Sequence, residues 1–204
     1  MDKQTLSDER LMTLTASGDP QAFQCLIRRC ASLMLTVARR MLPNDGAAED
    51  VFVDVTARVW VKRSTYEVGR PVKPWLLAIV ANASREWLRG RGRVPALSEV
   101  DGWDLARPAD PGPDAGMLGQ ELAAGVDAAL ERIPPKQREV VVMRVWGGLE
   151  FRHIAEALGV AEGTVRSNMH HGLAALRRHL GELSPSDTDS DSFKSASPQR
   201  SKET

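Results

Sequence analysis

The sequence predicts an all-α protein: two small helical domains joined by a flexible acidic linker. Three observations predict this. Apolar residues recur every three or four positions over long stretches, no stretch alternates apolar and polar as a half-buried strand would, and a proline-rich acidic segment divides the chain. With 204 residues and 42% hydrophobic composition, the chain has enough apolar material for one or two cores. The expected boundaries are an N-terminal segment at 1–19, a first domain at 20–93, a linker at 94–121, a second domain at 122–183 and a disordered tail at 184–204.

The elements follow in order. Phe23, Leu26, Ile27, Cys30, Met34, Val37 and Met41 keep a helical period, and Asp19-Pro20 supplies a cap and a first-position proline. "LPNDG" breaks that helix. A second helix from about Ala47 to Trp60 turns Val51, Phe52, Val55 and Val59 inward and leaves Glu49, Asp50, Asp54 and Arg58 facing out. After the loop "STYEVGRPVKP", a third helix from Trp75 to about Arg89 buries Leu76, Ile79, Val80 and Ala83. The stretch 94–117 holds Pro95, Pro108, Pro111 and Pro113 without a sustained period, which makes it a linker. The period resumes near Gln120 with Leu122, Val126, Ala129, Leu130 and Ile133, and restarts after Pro134-Pro135. The tail is rich in Ser and Asp, has Phe193 as its only large apolar residue, and cannot form a core.

"HIAEAL", "GVAEGTVRSN" and "MHHGLAALRRHL" run consecutively. Ile154, Ala155 and Leu158 recur before the turn; Val165, Met169, Leu173, Leu176 and Leu180 recur after it. Gly159 suits a left-handed helix-ending position, and Glu162 suits the positive end of the next helix. The string therefore reads as a helix-turn-helix, whose second helix can enter a DNA major groove.

Formal net charge is zero, with 27 basic and 27 acidic residues, but the charge is segregated. The stretch 84–93 sets Arg85, Arg89, Arg91 and Arg93 against Glu86. The stretch 94–127 sets Glu99, Asp101, Asp104, Asp110, Asp114, Glu121 and Asp127 against Arg107. An acidic strap between two bodies is itself repelled by phosphate. No apolar run reaches the roughly 18 residues of a membrane span, so no membrane insertion is expected. The polar N-terminus lacks a signal core and points to a cytoplasmic protein. Cys25 and Cys30 read as small hydrophobes on a helix face. No catalytic residue, cofactor or metal site is expected: there is no P-loop or nucleophile elbow, Cys25 and Cys30 are not a CxxC pair, and the adjacent His170 and His171 cannot both face one ion.

"ALERIPPKQREVVVMRVWGGLEFRHIAEALGVAEGTVRSNMHHGLAALRRHL" resembles region 4 of the extracytoplasmic-function (ECF) group of bacterial sigma-70 factors. "AFQCLIRRCASLMLTVARRML", "AEDVFVDVTARVW" and "PWLLAIVANASREWLRGRGR" resemble region 2. Two motif sets in the family's order make the resemblance specific. It implies a specificity subunit that binds core RNA polymerase, recognises the −35 and −10 promoter elements and promotes DNA opening. The implied partners are the β′ clamp helices and β flap of the polymerase, promoter DNA, and an anti-sigma factor.

Carried over residue by residue, the resemblance assigns Glu49, Asp50 and Asp54 to the polymerase surface. It assigns Asn82, with Arg85, Arg89, Arg91 and Arg93, to the −10 element. The loop 66–74 corresponds to the segment that receives a flipped base, with Tyr66 or Trp75 as an aromatic wall; Trp75 also reads as core. Single strands are held by stacking and positive charge. Asn82 amid an apolar stripe needs partners, which either a buried hydrogen bond or a base edge supplies. Thr164, Arg166, Ser167, His170 and His171 sit where the −35 recognition helix faces the duplex, and a guanidinium such as that of Arg166 matches guanine bidentately. The sequence departs from the family at Val53, Thr56, His153, Asn168 and His171, which leaves the promoter sequence open. The alternatives are an autonomous helix-turn-helix regulator, disfavoured by zero net charge because DNA affinity comes largely from phosphate neutralisation, and a thiol- or metal-responsive sensor.

Overall fold

A computed structural model describes residues 3–90 and 117–183. All its regular elements are helical, and no strand occurs among the described residues. Arg91, Arg93, linker residues 94–116 and the tail 184–204 lie outside the described residues.

The first four helices are α1 (Asp8–Ala16), α2 (Pro20–Met41), α3 (Asp45–Lys62) and α4 (Val72–Leu88). Each begins where the chain supplies a reason. Ser7 accepts from the Arg10 amide to start α1, and Asp19 accepts from the Gln21 and Ala22 amides to start α2, with Pro20 behind it. Asn44 accepts from the Ala47 amide to start α3. α1 was not expected, because the segment 1–19 is polar. Its apolar face is short, with only Leu11, Met12 and Thr15 buried, and tertiary packing on α2 rather than periodicity makes it a helix. Lys3 pairs with Asp19 at 2.6 Å and Arg29 with Asp8 at 2.8 Å, tying this end to α2.

The second set comprises α5 (Met117–Glu131), α6 (Pro135–Val145), α7 (Phe151–Leu158) and α8 (Glu162–Leu183). α5 starts a few residues earlier than expected, inside the stretch assigned to the linker. Pro134-Pro135 separates α5 from α6. α6 crosses α8 so closely that a Cβ on Gly172 would lie 2.7 Å from Val141 Cγ2.

Residues expected inward are inward. Phe23, Leu26, Ile27, Cys30, Met34, Val37, Met41, Val51, Phe52, Val55, Val59, Leu76, Ile79, Val80 and Ala83 are all buried. In the second set, Ala129, Leu130, Ile133, Ile154, Val165 and Leu176 are buried. The two sets also pack on each other, α2 against α6 and α4 against α7, and their buried side chains form one continuous cluster. The sequence predicts two bodies without indicating this contact, because no periodicity reports which helix faces meet across a linker.

No helix among the described residues is long and apolar enough to cross a membrane.

Candidate nucleic-acid interface

The helix-turn-helix is built on Gly159. It ends α7 at φ 66° and ψ 37°, a conformation that a Cβ would strain. Its amide donates to Glu156 O at 3.3 Å, and the Val160 amide donates to Ala155 O at 3.1 Å, which satisfies the last carbonyls of α7 and turns the chain. α8 then starts with Glu162 in its first turn.

Val165, Gly172, Ala175 and Leu176 of α8 face inward, while Thr164, Arg166, Ser167, His170 and His171 are all exposed. The five residues expected to face the duplex thus share an open surface. Arg166 does not wave freely. Its Nη2 donates to Glu162 Oε1 at 2.6 Å and its Nε to the same oxygen at 3.1 Å, while its guanidinium lies 4.7 Å from the Phe151 ring centroid. The stack on Phe151 crosses from α8 to α7, a contact that the sequence pattern does not announce. A planar cation held by a carboxylate and a ring keeps a narrow range of directions, so less rotamer entropy is lost when it meets a planar base edge or a phosphate.

On the first helical set the acidic residues of α3 separate. Asp50 is exposed, and Glu49 is half-buried and already engaged within the fold. Asp54 and Arg58, expected to face out, are instead largely covered: their side chains are 15% and 10% exposed and pair at 2.8 Å. The reason is Glu86 of α4, which meets Arg58 Nη1 at 2.6 Å and turns the i,i+4 pair into a bridge between two helices. Burial alone pulls the Arg58 guanidinium down, but Asp54 and Glu86 outweigh it and hold it above its ordinary range. Sequence spacing predicts the Asp54–Arg58 pair; it does not predict Glu86 as the third member.

Asn82 lies half-buried on α4. Its side-chain oxygen accepts from Arg85, whose Nε in turn lies 3.2 Å from Glu139 Oε1 of α6. That approach is an ion pair without hydrogen-bond alignment, so Glu139 Oε1 has no hydrogen-bond partner. Burial pushes the Glu139 carboxyl up to about 7 against the pull of Arg85. Arg89 is exposed just beyond α4.

Tyr66 is buried, its hydroxyl donating to Arg70 O and its ring meeting Trp75 edge-on at 5.6 Å. Trp75 is only partly buried. It packs on the core and also lines a cleft of about 510 Å³ between the loop and α7, with Arg152, His153 and Glu156 on the far wall.

The cysteines are free. Burial pushes the Cys30 thiol up to about 12, too high for a reactive thiolate near neutral pH. Among the described residues no three His, Cys, Asp or Glu side chains are grouped as metal ligands.

This geometry meets the comparisons with known proteins at both ends of the chain. Residues 26–94 match the Sigma-70 region 2 family and residues 124–176 match Sigma-70 region 4. The chain is 34% identical over 166 residues to RNA polymerase sigma factor CarQ of Myxococcus xanthus, an alignment covering 81% of this chain and 93% of CarQ. The chain belongs to the ECF sigma factors. It is also 33% identical over 172 residues to the ECF RNA polymerase sigma factor SigE of Mycolicibacterium smegmatis, covering 83% of this chain and 66% of that protein. Two solved structures share the fold: CnrH in complex with the cytosolic domain of CnrY (TM-score 0.65, 22% identity, 86% of this chain and 97% of that one), and the sigma factor RpoE with the anti-sigma factor NepR from Bartonella quintana (0.59, 23%, 76% and 94%). In this ECF sigma factor α2–α4 therefore carry most of the region 2 match, and α5–α8 carry the region 4 match.

Proposed function

We propose that this sigma factor docks on core RNA polymerase through α3, reads a −35 element with α8, holds the opened −10 strand with α4 and the loop 66–74, and has no enzymatic activity of its own. The observation that carries the reading is the shared exposed face of Thr164, Arg166, Ser167, His170 and His171. It offers polar and cationic groups over about two helical turns, the length one helix presents in a major groove.

Asp50 is the exposed carboxylate of α3, and a basic polymerase surface complements it. Asn82 and Arg85 offer base-edge hydrogen bonding and phosphate neutralisation side by side, and Arg89 is exposed just beyond them. Tyr66 and Trp75 back the cleft in which a flipped base would stack; flipping costs a few kcal/mol, least where the duplex is already open. The polymerase performs the nucleotidyl transfer, and that partner places the protein in the cytoplasm. The functional units are 20–93 and, because α5 begins at Met117, 117–183. An anti-sigma factor is the further partner, a reading supported by one solved protein of this fold, RpoE, which is in complex with the anti-sigma factor NepR.

The test is transcription from a genomic promoter library with purified core enzyme and the full chain. Start sites should cluster behind a shared pair of spaced elements and vanish when either component is omitted. Starts that do not depend on the added chain contradict the proposal.

A further inference from the structure

Asn82 is half-buried on α4, flanked by the buried Ala81 and Ala83, and its side-chain oxygen accepts from Arg85 Nη2. An asparagine amide has an accepting end and a donating end of nearly equal shape, so its polarity is set by whatever stands beside it. Arg85 sets that polarity, because a guanidinium carries five donors and no acceptor. The oxygen must face the guanidinium, and the NH2 group must face away. The contact is intrinsic to α4, since the two residues are three apart on one helix. The Arg85 atom that meets Glu139 of α6 is Nε, at 3.2 Å, which leaves Nη2 for Asn82. A charged donor also makes the stronger hydrogen bond, so a neutral base amino group competes poorly for the same oxygen.

We propose that Arg85 is a positioning residue for Asn82, and that the pair presents only donors to an opened −10 base, selecting a base with two adjacent acceptors. Cytosine offers O2 and N3, and guanine offers O6 and N7. Adenine sets an amino group beside N1 and N7, and thymine sets N3–H between its two oxygens. In the opposite polarity an asparagine pairs with adenine, its oxygen to the amino group and its NH2 to N7. Arg85 withholds that mode. The inference rests on the reading of α4 as part of the −10 surface, and it names the base edge that surface reads.

The test is transcription with core enzyme from templates already mismatched at −10, carrying each base in turn at each position of the opened strand. Such templates remove the cost of melting, so the rate reports base preference. The full chain is compared with Asn82→Ala, Asn82→Asp, Arg85→Lys and Arg85→Met. The parent should prefer cytosine or guanine at one position. Asn82→Asp is nearly isosteric and keeps the oxygen that Arg85 holds, but it replaces NH2 with a second oxygen. It should lose that preference, falling by about tenfold or more on the preferred template. Arg85→Lys, still a donor without an acceptor, should keep the preference. Arg85→Met frees the amide to turn and should raise adenine towards the parent's preferred base. Parental activity and preference in Asn82→Asp, beside an impaired Asn82→Ala, overturns the proposal alone. Losses of equal size on all four bases in Asn82→Asp or Arg85→Met mean that no base is read through the amide, and overturn it too. An Asn82→Ala chain that matches the parent at every position contradicts instead the reading of α4 as the −10 surface.

Discussion

Arg58 on α3 reaches Glu86 on α4 at 2.6 Å, with a tenth of the arginine side chain exposed. The same guanidinium holds Asp54. The pair therefore does two jobs, fixing α4 against α3 and withdrawing one of three acidic side chains from the surface that would meet the polymerase.

Asp50→Arg separates docking from stability. Asp50 is exposed and outside the Arg58 cluster, so the substitution should abolish co-elution with core polymerase while thermal unfolding stays within about 0.5 kcal/mol of the parent. Asp54→Arg, in contrast, places a second cation on a largely buried one and should destabilise the fold by about 3 kcal/mol or more. If Asp50→Arg co-elutes normally, α3 is not the docking face.

Arg166→Ala should weaken use of the −35 element by about 1–3 kcal/mol, selectively at one base pair if the guanidinium reads guanine. Phe151→Leu keeps the charge and removes the ring beneath it. It should cost less than Arg166→Ala, and it should relax the preference at that same base pair. An equal loss across all −35 variants in both substitutions makes Arg166 a phosphate contact.

How far the sequence reaches depends on the range of the interaction. The buried faces of α2, α3 and α4 are legible because each side chain's neighbours lie three or four residues away. Gly159 is legible for the same reason, since a helix end is a local event. The illegible parts all lie across helices: Glu86 completing the Arg58 bridge, Phe151 beneath Arg166, and Glu139 against Arg85. α1 stays hidden because its helix depends on α2. The surface residues of α8 follow from the resemblance together with the turn, whereas the orientation of Arg166 needs the fold.

Gly172→Ala tests the closeness of the helix-turn-helix scaffold. The new Cβ would lie 2.7 Å from Val141 Cγ2, so α6 and α8 must move apart, at about 1–3 kcal/mol. Calorimetry should show a lower unfolding temperature, and −35 recognition should weaken along with it. A variant as stable as the parent means that the α6–α8 crossing adapts.

Glu139 gives the fold a pH dependence of definite sign. Burial raises its carboxyl from 4.5 to about 7. The protonated form is the one the folded chain favours, so its contribution is full below about pH 4.5 and is lost as pH rises through about 7. Glu139→Gln should remove that loss, leaving the variant more stable than the parent at pH 8 by about 1–3 kcal/mol relative to their difference at pH 4.5. Parallel urea-unfolding curves for parent and variant across that range would show that the carboxyl titrates as an ordinary exposed group.

The central claim is that two small DNA surfaces act only when core polymerase holds them. Neutral net charge gives the free chain little phosphate attraction, since DNA affinity scales with neutralised phosphates. The direct measurement is footprinting on a promoter from the mapped library, with the chain alone and with core enzyme. Protection at both elements should require the polymerase, with at most weak, salt-sensitive binding by the chain alone. Tight, sequence-specific protection by the chain without polymerase contradicts the claim and makes the protein an autonomous helix-turn-helix regulator.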